Sequence, residues 1–217
     1  MSSPPPVPVP YLIDPAHLAF DDLVTFCVSI LVAVLINAEG QAHAATFLGD
    51  FRPGAKDRLH FNAFLHLDIL GTLCFLVDGF GWARKMKVDP SKFRHPRPYL
   101  VVTRCFGPIA NLLMAAIVSS IVVLLKIFDL DPRVFNMLIG VNVTMAVYNL
   151  IPLPPLAAGA LVRVLLPARW ARLDWWFSQA GPFLVLALAL LERLSPQPFL
   201  SPHLNPLVVA IYKFIAE

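Results

Sequence analysis

Charge is what this chain has least of. Asp, Glu, Lys and Arg make up 14% of its 217 residues, against 58% apolar, where a water-soluble domain carries charge at roughly a quarter of its positions. With a mean hydropathy of +0.70, the shortage excludes an ordinary soluble domain. It leaves a polytopic membrane protein, one compact bundle at this length. Cysteine is scarce too: Cys27, Cys74 and Cys105 have no metal-type spacing and sit in or beside apolar runs. They are expected to be buried, reduced and structural. There is no glycine-rich phosphate loop, no ordered Ser/His/Asp set and no Cys-x-x-Cys-His. Residues 1–10 lack the basic n-region of a signal peptide. A net charge of +3 and a pI near 8.9 do not imply nucleic acid, because the basic residues flank apolar runs and act as topology signals.

The apolar runs come in a definite order. Residues 1–19 are a Pro-rich tail, expected to be extended; residues 20–191 are the membrane core and 192–217 a C-terminal segment. Runs at 20–47, 99–128, 134–148 and 173–191 predict about four full spans of a hydrocarbon core roughly 30 Å thick. The stretch 60–82 is apolar but broken by Asp68, Gly71, Asp78, Gly79 and Gly81, which predicts a partly inserted segment shielded by protein. Asp131-Pro132 favours a turn and a helix start. Short helices are expected at 156–166, near the interface, and at 205–214. Trp170, Trp175 and Trp176, with Arg163, Arg169 and Arg172, mark a headgroup level. The fold class is an all-α polytopic membrane bundle. The first fifty residues hold no Lys or Arg, whereas the span from Arg52 to Arg97 holds nine. By the positive-inside rule those loops are cytoplasmic and the N-terminus lies outside, in a bacterial inner (plasma) membrane.

Polar side chains inside these runs must face protein or water. Asn37, Glu39, Gln41 and His43 crowd the end of the first helix. Asn37 and Gln41, one turn apart, are expected to hydrogen-bond a neighbouring helix at about 1 kcal/mol each, with Asn149 as the partner. Glu39 and His43 share another face, with His66 or Asp68 as further ligands if a metal is held there. For His43 alone the reading is a hydrogen-bonded interior histidine. Asn149, Pro152, Pro154 and Pro155 end a helix and are expected to leave an extended strand, an edge for strand addition.

Several of these motifs resemble, in order, those of the site-2 protease family of intramembrane zinc metallopeptidases. Anchored on Leu48-Gly49-Asp50, residues 37–50 match His-Glu-x-x-His-Ala-x-x-Ala-x-x-Leu-Gly-Asp without a gap. Residues 62–72, with His66, Asp68 and Gly71, are similar to the family's Asn-Pro-x-x-His-Ile-Asp-Pro-x-Gly, although both prolines are absent. Gly107-Pro108 and Asn111 resemble Gly-Pro-x-x-Asn, and residues 149–159 resemble Asn-x-x-Pro-x-Pro-Pro-Leu-Asp-Gly-Gly. The likeness spans about residues 20–165.

What the resemblance implies for chemistry is a loss. Asn37 and Gln41 fall on the two zinc histidines, Ala38 on the catalytic glutamate and Ala157 on the aspartate ligand. Neutral amides and methyl groups supply neither charge nor a nitrogen donor to zinc, so no cofactor is expected and no catalytic residue is assigned. The resemblance then implies a pseudoprotease, a binding or scaffold subunit among other integral membrane subunits, with membrane lipid around it. Glu39, His43, His66, Asp68, Asn111, Asn149, Pro152, Pro154 and Pro155 would form its groove or interhelical contacts. The alternative is an intramembrane metallopeptidase with displaced ligands; an ion pathway through Glu39 and His43 is a third class.

Overall fold

The computed structural model describes residues 8–14, 16, 19–51 and 61–216. The start of the Pro-rich tail and the basic loop 52–60, with His60, lie outside the described residues. Among the described residues seven α-helices follow one another: α1 Phe20–Phe47, α2 Ile69–Asp78, α3 Pro96–Ile127, α4 Arg133–Tyr148, α5 Ala157–Leu165, α6 Ala171–Leu194 and α7 Ser201–Ala216. Among the described residues there is no β-sheet, only one isolated antiparallel bridge between Leu67 and Ala83.

Among the described residues three helices are long and apolar enough to cross a bilayer: α1, α3 and α6, of 28, 32 and 24 residues. The run at 134–148, expected as a fourth full span, forms the 16-residue α4, only ~24 Å long at 1.5 Å per residue. It does not need to reach both faces, because it is the wrapped centre of the bundle. Every residue from Ile139 to Tyr148 is buried, between α1, α3 and α7. By contrast, α3 leaves Leu113, Ile117, Val123 and Leu124 exposed. Such a face needs no protein partner when lipid covers it. The thiols divide in the same way: Cys74 is buried, Cys105 half-buried and Cys27 exposed, all three free. Burial had been expected of all three; Cys27 stands on the outer face of α1, where lipid is as apolar as a protein interior.

Turn chemistry fixes the ends. α1 stops where Gly49 takes φ +116°, a conformation that side chains resist. The next residue, Asp50, is fully buried and its Oδ2 accepts the Asp89 N–H at 3.1 Å. The Leu-Gly-Asp motif therefore anchors the end of α1 to the 84–95 loop. Asp68 caps α2, its Oδ1 accepting the Gly71 N–H at 2.9 Å. After α2 the chain doubles back through Gly79 (φ +73°) and Gly81. A Cβ on Gly81 would lie 2.2 Å from the Gly71 carbonyl oxygen, so the return strand can lie against α2 only without one. Helix and return make a short hairpin, the shape expected of a partly inserted segment. The C-terminal α7 packs on α4 and α3, where Tyr148 donates to Asn205 Oδ1 at 2.8 Å. Near the N-terminus, the Tyr11 ring meets Phe26 with centroids 4.8 Å apart.

α1 and α3 cross closely, with small residues at the contact. A Cβ on Gly40 would meet the Ala110 Cβ at 2.6 Å, and one on Gly107 would meet Asn37 Oδ1 at 2.6 Å. Small residues at such a crossing let two backbones approach and strengthen every contact between them. Gly107→Val is expected to destabilise the bundle by about 1–3 kcal/mol, read as a lowered unfolding midpoint in mixed micelles. Gly140→Ala, whose Cβ would meet only the Val9 side chain at 3.3 Å, is expected to change the midpoint little.

Candidate functional site

The α1–α3 crossing brings together two of the altered zinc positions, Asn37 and Gln41, and residues that the sequence reading did not single out. Arg104, on α3, donates from Nη1 to Gln41 Oε1 at 2.7 Å and from Nη2 to the Met86 carbonyl at 3.0 Å. Gln41 Nε2 donates to Asn37 Oδ1 at 2.8 Å, and Asn37 Nδ2 donates to Asn111 Oδ1 at 2.7 Å. Asn111 Nδ2 serves both the Ala33 carbonyl, at 2.9 Å, and Asn142 Oδ1, at 2.8 Å. Asn142 Nδ2 closes the series on the Leu138 carbonyl at 2.8 Å. The side-chain to side-chain bonds run in one direction, from Arg104 of α3 through Gln41 and Asn37 of α1 and back through Asn111 of α3 to Asn142 of α4.

The direction has a physical cause. A guanidinium only donates, so the oxygen of Gln41 must face Arg104 and its nitrogen must face Asn37. Each following amide is oriented in turn. Spacing supplies the rest: Ala33, Asn37 and Gln41 recur every four residues on one face of α1, and Arg104 and Asn111 lie two turns apart on α3. Asn37, Asn111 and Asn142 are at most 3% exposed, so unpaired amides there would be expensive. The signal for the missed pair was present, since Arg104 and Asn142 are polar residues inside apolar runs.

Asn149 stands elsewhere. Its Nδ2 donates to the Met145 carbonyl at 2.7 Å and its Oδ1 accepts the Ala157 N–H at 3.0 Å. The expected Asn37–Gln41–Asn149 ladder is therefore corrected: Asn111 and Asn142 take the place given to Asn149. Nor do Pro152, Pro154 and Pro155 leave an extended strand. Residues 149–156 form consecutive turns, with Leu153 N–H on the Ile151 carbonyl at 2.8 Å and Ala158 N–H on the Asn149 carbonyl at 3.0 Å. Asn149 folds the segment onto itself, and the prolines have no N–H to offer a strand partner.

Glu39 and His43 project roughly 200° around α1 from Asn37 and Gln41, so the two pairs cannot share one centre. Glu39 is 4% exposed, and among the described residues its carboxylate accepts no hydrogen bond. His66 Nε2 lies 3.4 Å from Glu39 Oε1, and His43 Nδ1 lies 4.0 Å from Oε2. The His43 side chain is 65% exposed, with Nδ1 2.8 Å from the Glu39 carbonyl. It is a surface histidine tied to its own helix, not the interior one expected. Asp68 is occupied as the cap of α2.

The donor set does not fit zinc. At the family's ligand positions stand two amides already hydrogen-bonded to other groups and, at Ala157, a methyl group. Ala38 packs in an apolar cluster with Phe75, Ala83 and Met145. Among the described residues, no three of His, Cys, Asp or Glu are placed to hold a metal ion. What the arrangement does chemically is to join α1, α3, α4 and the 83–87 segment through one charge-anchored chain of hydrogen bonds.

The fold is that of a helical membrane protein, and its motifs resemble in order those of the site-2 protease family. A protein of Bacillus subtilis (strain 168), named "Putative zinc metalloprotease YwhC", is 31% identical over 149 residues, covering 64% of this chain and 68% of that relative. The chain belongs to this site-2-protease-like metalloprotease family. No family model matches it, and no solved structure does.

Removing the middle of the chain of amides tests its weight. Asn111→Leu leaves Asn37, Asn142 and the Ala33 carbonyl without their partner, three bonds at roughly 0.6 kcal/mol each in a membrane bundle. The variant is expected to lose about 2 kcal/mol of stability in mixed-micelle unfolding. A loss below ~0.5 kcal/mol would show the network to be incidental.

Proposed function

We propose that this chain is a catalytically silent member of its family, acting as a binding or scaffold subunit of a larger membrane complex. One observation carries the reading: the groups at the metal-ligand positions are amides engaged with each other, with Arg104 and with Asn111. A protonated guanidinium 2.7 Å from Gln41 puts fixed positive charge beside the position of the second ligand, where it opposes a divalent cation. Without a metal to lower the pKa of water, and with a packed methyl at the position of the glutamate, neither half of the hydrolytic chemistry has an agent. The same reading puts the 84–97 loop on the cytoplasmic side of a bacterial plasma membrane and the N-terminus outside, following the distribution of Lys and Arg.

A second reading has one observation in its favour. Among the described residues the buried Glu39 carboxylate accepts no hydrogen bond, and it has His66 and His43 within 3.4 and 4.0 Å, although the three are not placed to hold an ion as they stand. Glu39 lies on a different face of α1 from Asn37 and Gln41, however, roughly 200° around the helix from the positions that match the family's ligands. The relative's name supports metalloprotease chemistry at the level of the family, not at these residues.

Metal analysis separates the two. The purified chain is expected to carry far less than stoichiometric zinc, unchanged in Glu39→Ala, and to co-purify with other membrane subunits at fixed stoichiometry in mild detergent. Glu39→Gln is expected to leave that association intact. Stoichiometric zinc lost on Glu39→Ala or His43→Ala would establish the displaced site instead.

A further inference from the structure

Beside the amide chain lies a cleft whose contents neither reading explains. Its outer part, about 370 Å³, is bounded by the 67–70 turn, Arg84, Lys85 and the Ser178–Phe183 stretch of α6. It adjoins an inner chamber of about 80 Å³ that shares Asp68, Lys85, Ser178 and Pro182, and that adds Arg104, Arg163 and the Pro154–Leu156 turn. Both are shaped by close packing. A Cβ on Gly181 would lie 2.2 Å from the Pro154 carbonyl oxygen, so the turn and α6 touch along one edge. The backbone of the 83–86 stretch is held on the other side by Arg84 N–H on the His66 carbonyl, 2.7 Å, and by Arg104 on Met86.

Charge in this cleft is lopsided. Arg163 is satisfied, since Nε and Nη2 bond both oxygens of Asp174 at 2.6 and 2.9 Å. Among the described residues Arg104 meets only neutral oxygens, through two of its five N–H groups. Lys85 is exposed as a residue, but its ammonium turns into the cleft and donates to Ser178 Oγ at 3.2 Å. Among the described residues neither Lys85 nor Arg84 makes an ion pair. Asp68, the carboxylate among the described residues that line the cleft, is turned to the N-terminus of α2 through Gly71. Partial desolvation, then Arg163 and Arg104, push the pKa of Lys85 below the usual lysine value, while Asp174 acts weakly the other way. Lys85 and Arg104 thus face the cleft without an ion pair among the described residues, while Asp174 is engaged by Arg163 and Asp68 by the N-terminus of α2.

We propose that this cleft binds a phosphate group, with Lys85, Arg104 and Ser178 as its donors and Arg84 at the mouth. A tetrahedral oxyanion offers several acceptor oxygens to donors converging from α3, α6 and the 83–87 segment, and charge-assisted bonds of this kind are among the strongest available. The inner chamber is small and its donors are side chains. The N-terminus of α5 is already closed by Asn149. Position points the same way, because α6 begins with the exposed Trp175 and Trp176, residues typical of the headgroup level. The group can come from a phospholipid headgroup or from free phosphate. The inference goes beyond the silent-protease reading and does not rest on it, since Lys85, Ser178 and Arg84 are not metal positions.

The test uses the full chain in detergent, with phosphatidylglycerol, phosphatidylcholine and inorganic phosphate as probes, read by native mass spectrometry and thermal unfolding. Retention of phosphatidylglycerol, weakened about tenfold in Lys85→Gln and unchanged in Arg172→Gln outside the cleft, places a lipid headgroup there. Stabilisation by inorganic phosphate, lost in Lys85→Gln without selective lipid retention, places free phosphate there. Ser178→Ala is expected to reproduce the loss in milder form. If neither probe binds, or if both bind equally well to a folded Lys85→Gln, the proposal is overturned. Zinc content is unaffected in every arm, so this outcome and that of the silent-protease reading are read separately.

Discussion

A guanidinium that can only donate, set into an apolar bundle, constrains much of what surrounds it. Arg104 needs oxygens, and the nearest are the Gln41 amide and the Met86 carbonyl. Once Gln41 is turned toward it, the amides of Asn37, Asn111 and Asn142 have one satisfying arrangement each, and the last donor ends on a backbone carbonyl of α4. Aligned bonds of this kind polarise one another. In a medium where helices gain little from apolar contact, such a chain and the close approach at Gly40 and Gly107 are what hold α1 to α3. The two are interdependent: the Asn37 amide occupies the space that a Gly107 side chain would take.

A zinc site and this chain of amides are alternative answers to one structural demand. Two histidines on α1 and an aspartate at the start of α5 would tie α1 to the proline turn through a cation. Here that tie has been divided. α1 is bound instead to α3, α4 and the 83–87 segment, while the first N–H of α5 is bound to Asn149 of the turn before it. Each half is satisfied without the other. Positive charge is retained in the region, now carried by a residue of α3, which lines the same chamber as Pro154, Pro155 and Leu156.

Apolar runs long enough to span, the hairpin after α1 and the short helix after the proline turn were legible in the sequence, because period and length decide them. Where α4 sits was less so: a buried central helix and a lipid-crossing one have the same composition, and only its 16-residue length separates them. At the site, Asn37, Gln41, Ala38 and Ala157 could be located by spacing, since i and i+4 fix a helix face. Their partner could not, because a hydrogen bond across helices depends on rotation and depth that a single sequence does not carry. Asn149 was taken for the partner on chemistry alone. Its local use as a cap for the Ala157 N–H won, being only eight residues away and needing no helix to be placed. Arg104 was not singled out at all: it lies inside the apolar 99–128 run, and its partner on α1 depends on the same rotation and depth.

The motif frame separates by the kind of work each residue does. Gly49 ends α1 at a positive φ, Asp50 ties that end to Asp89, Asp68 caps α2, Gly71 and Gly81 let the hairpin close, Gly107 admits Asn37, and Asn149 folds the proline turn. None of these requires a metal. The positions that do require one hold Asn37, Ala38, Gln41 and Ala157, and three of those four are filled by groups that pack or hydrogen-bond in their own right. A bundle whose shape rests on backbone chemistry, and whose metal positions are stapled by amides, keeps its architecture whether or not it ever cuts a substrate. The cleft beside Arg104 is then the part of this surface whose charges the fold itself leaves unbalanced.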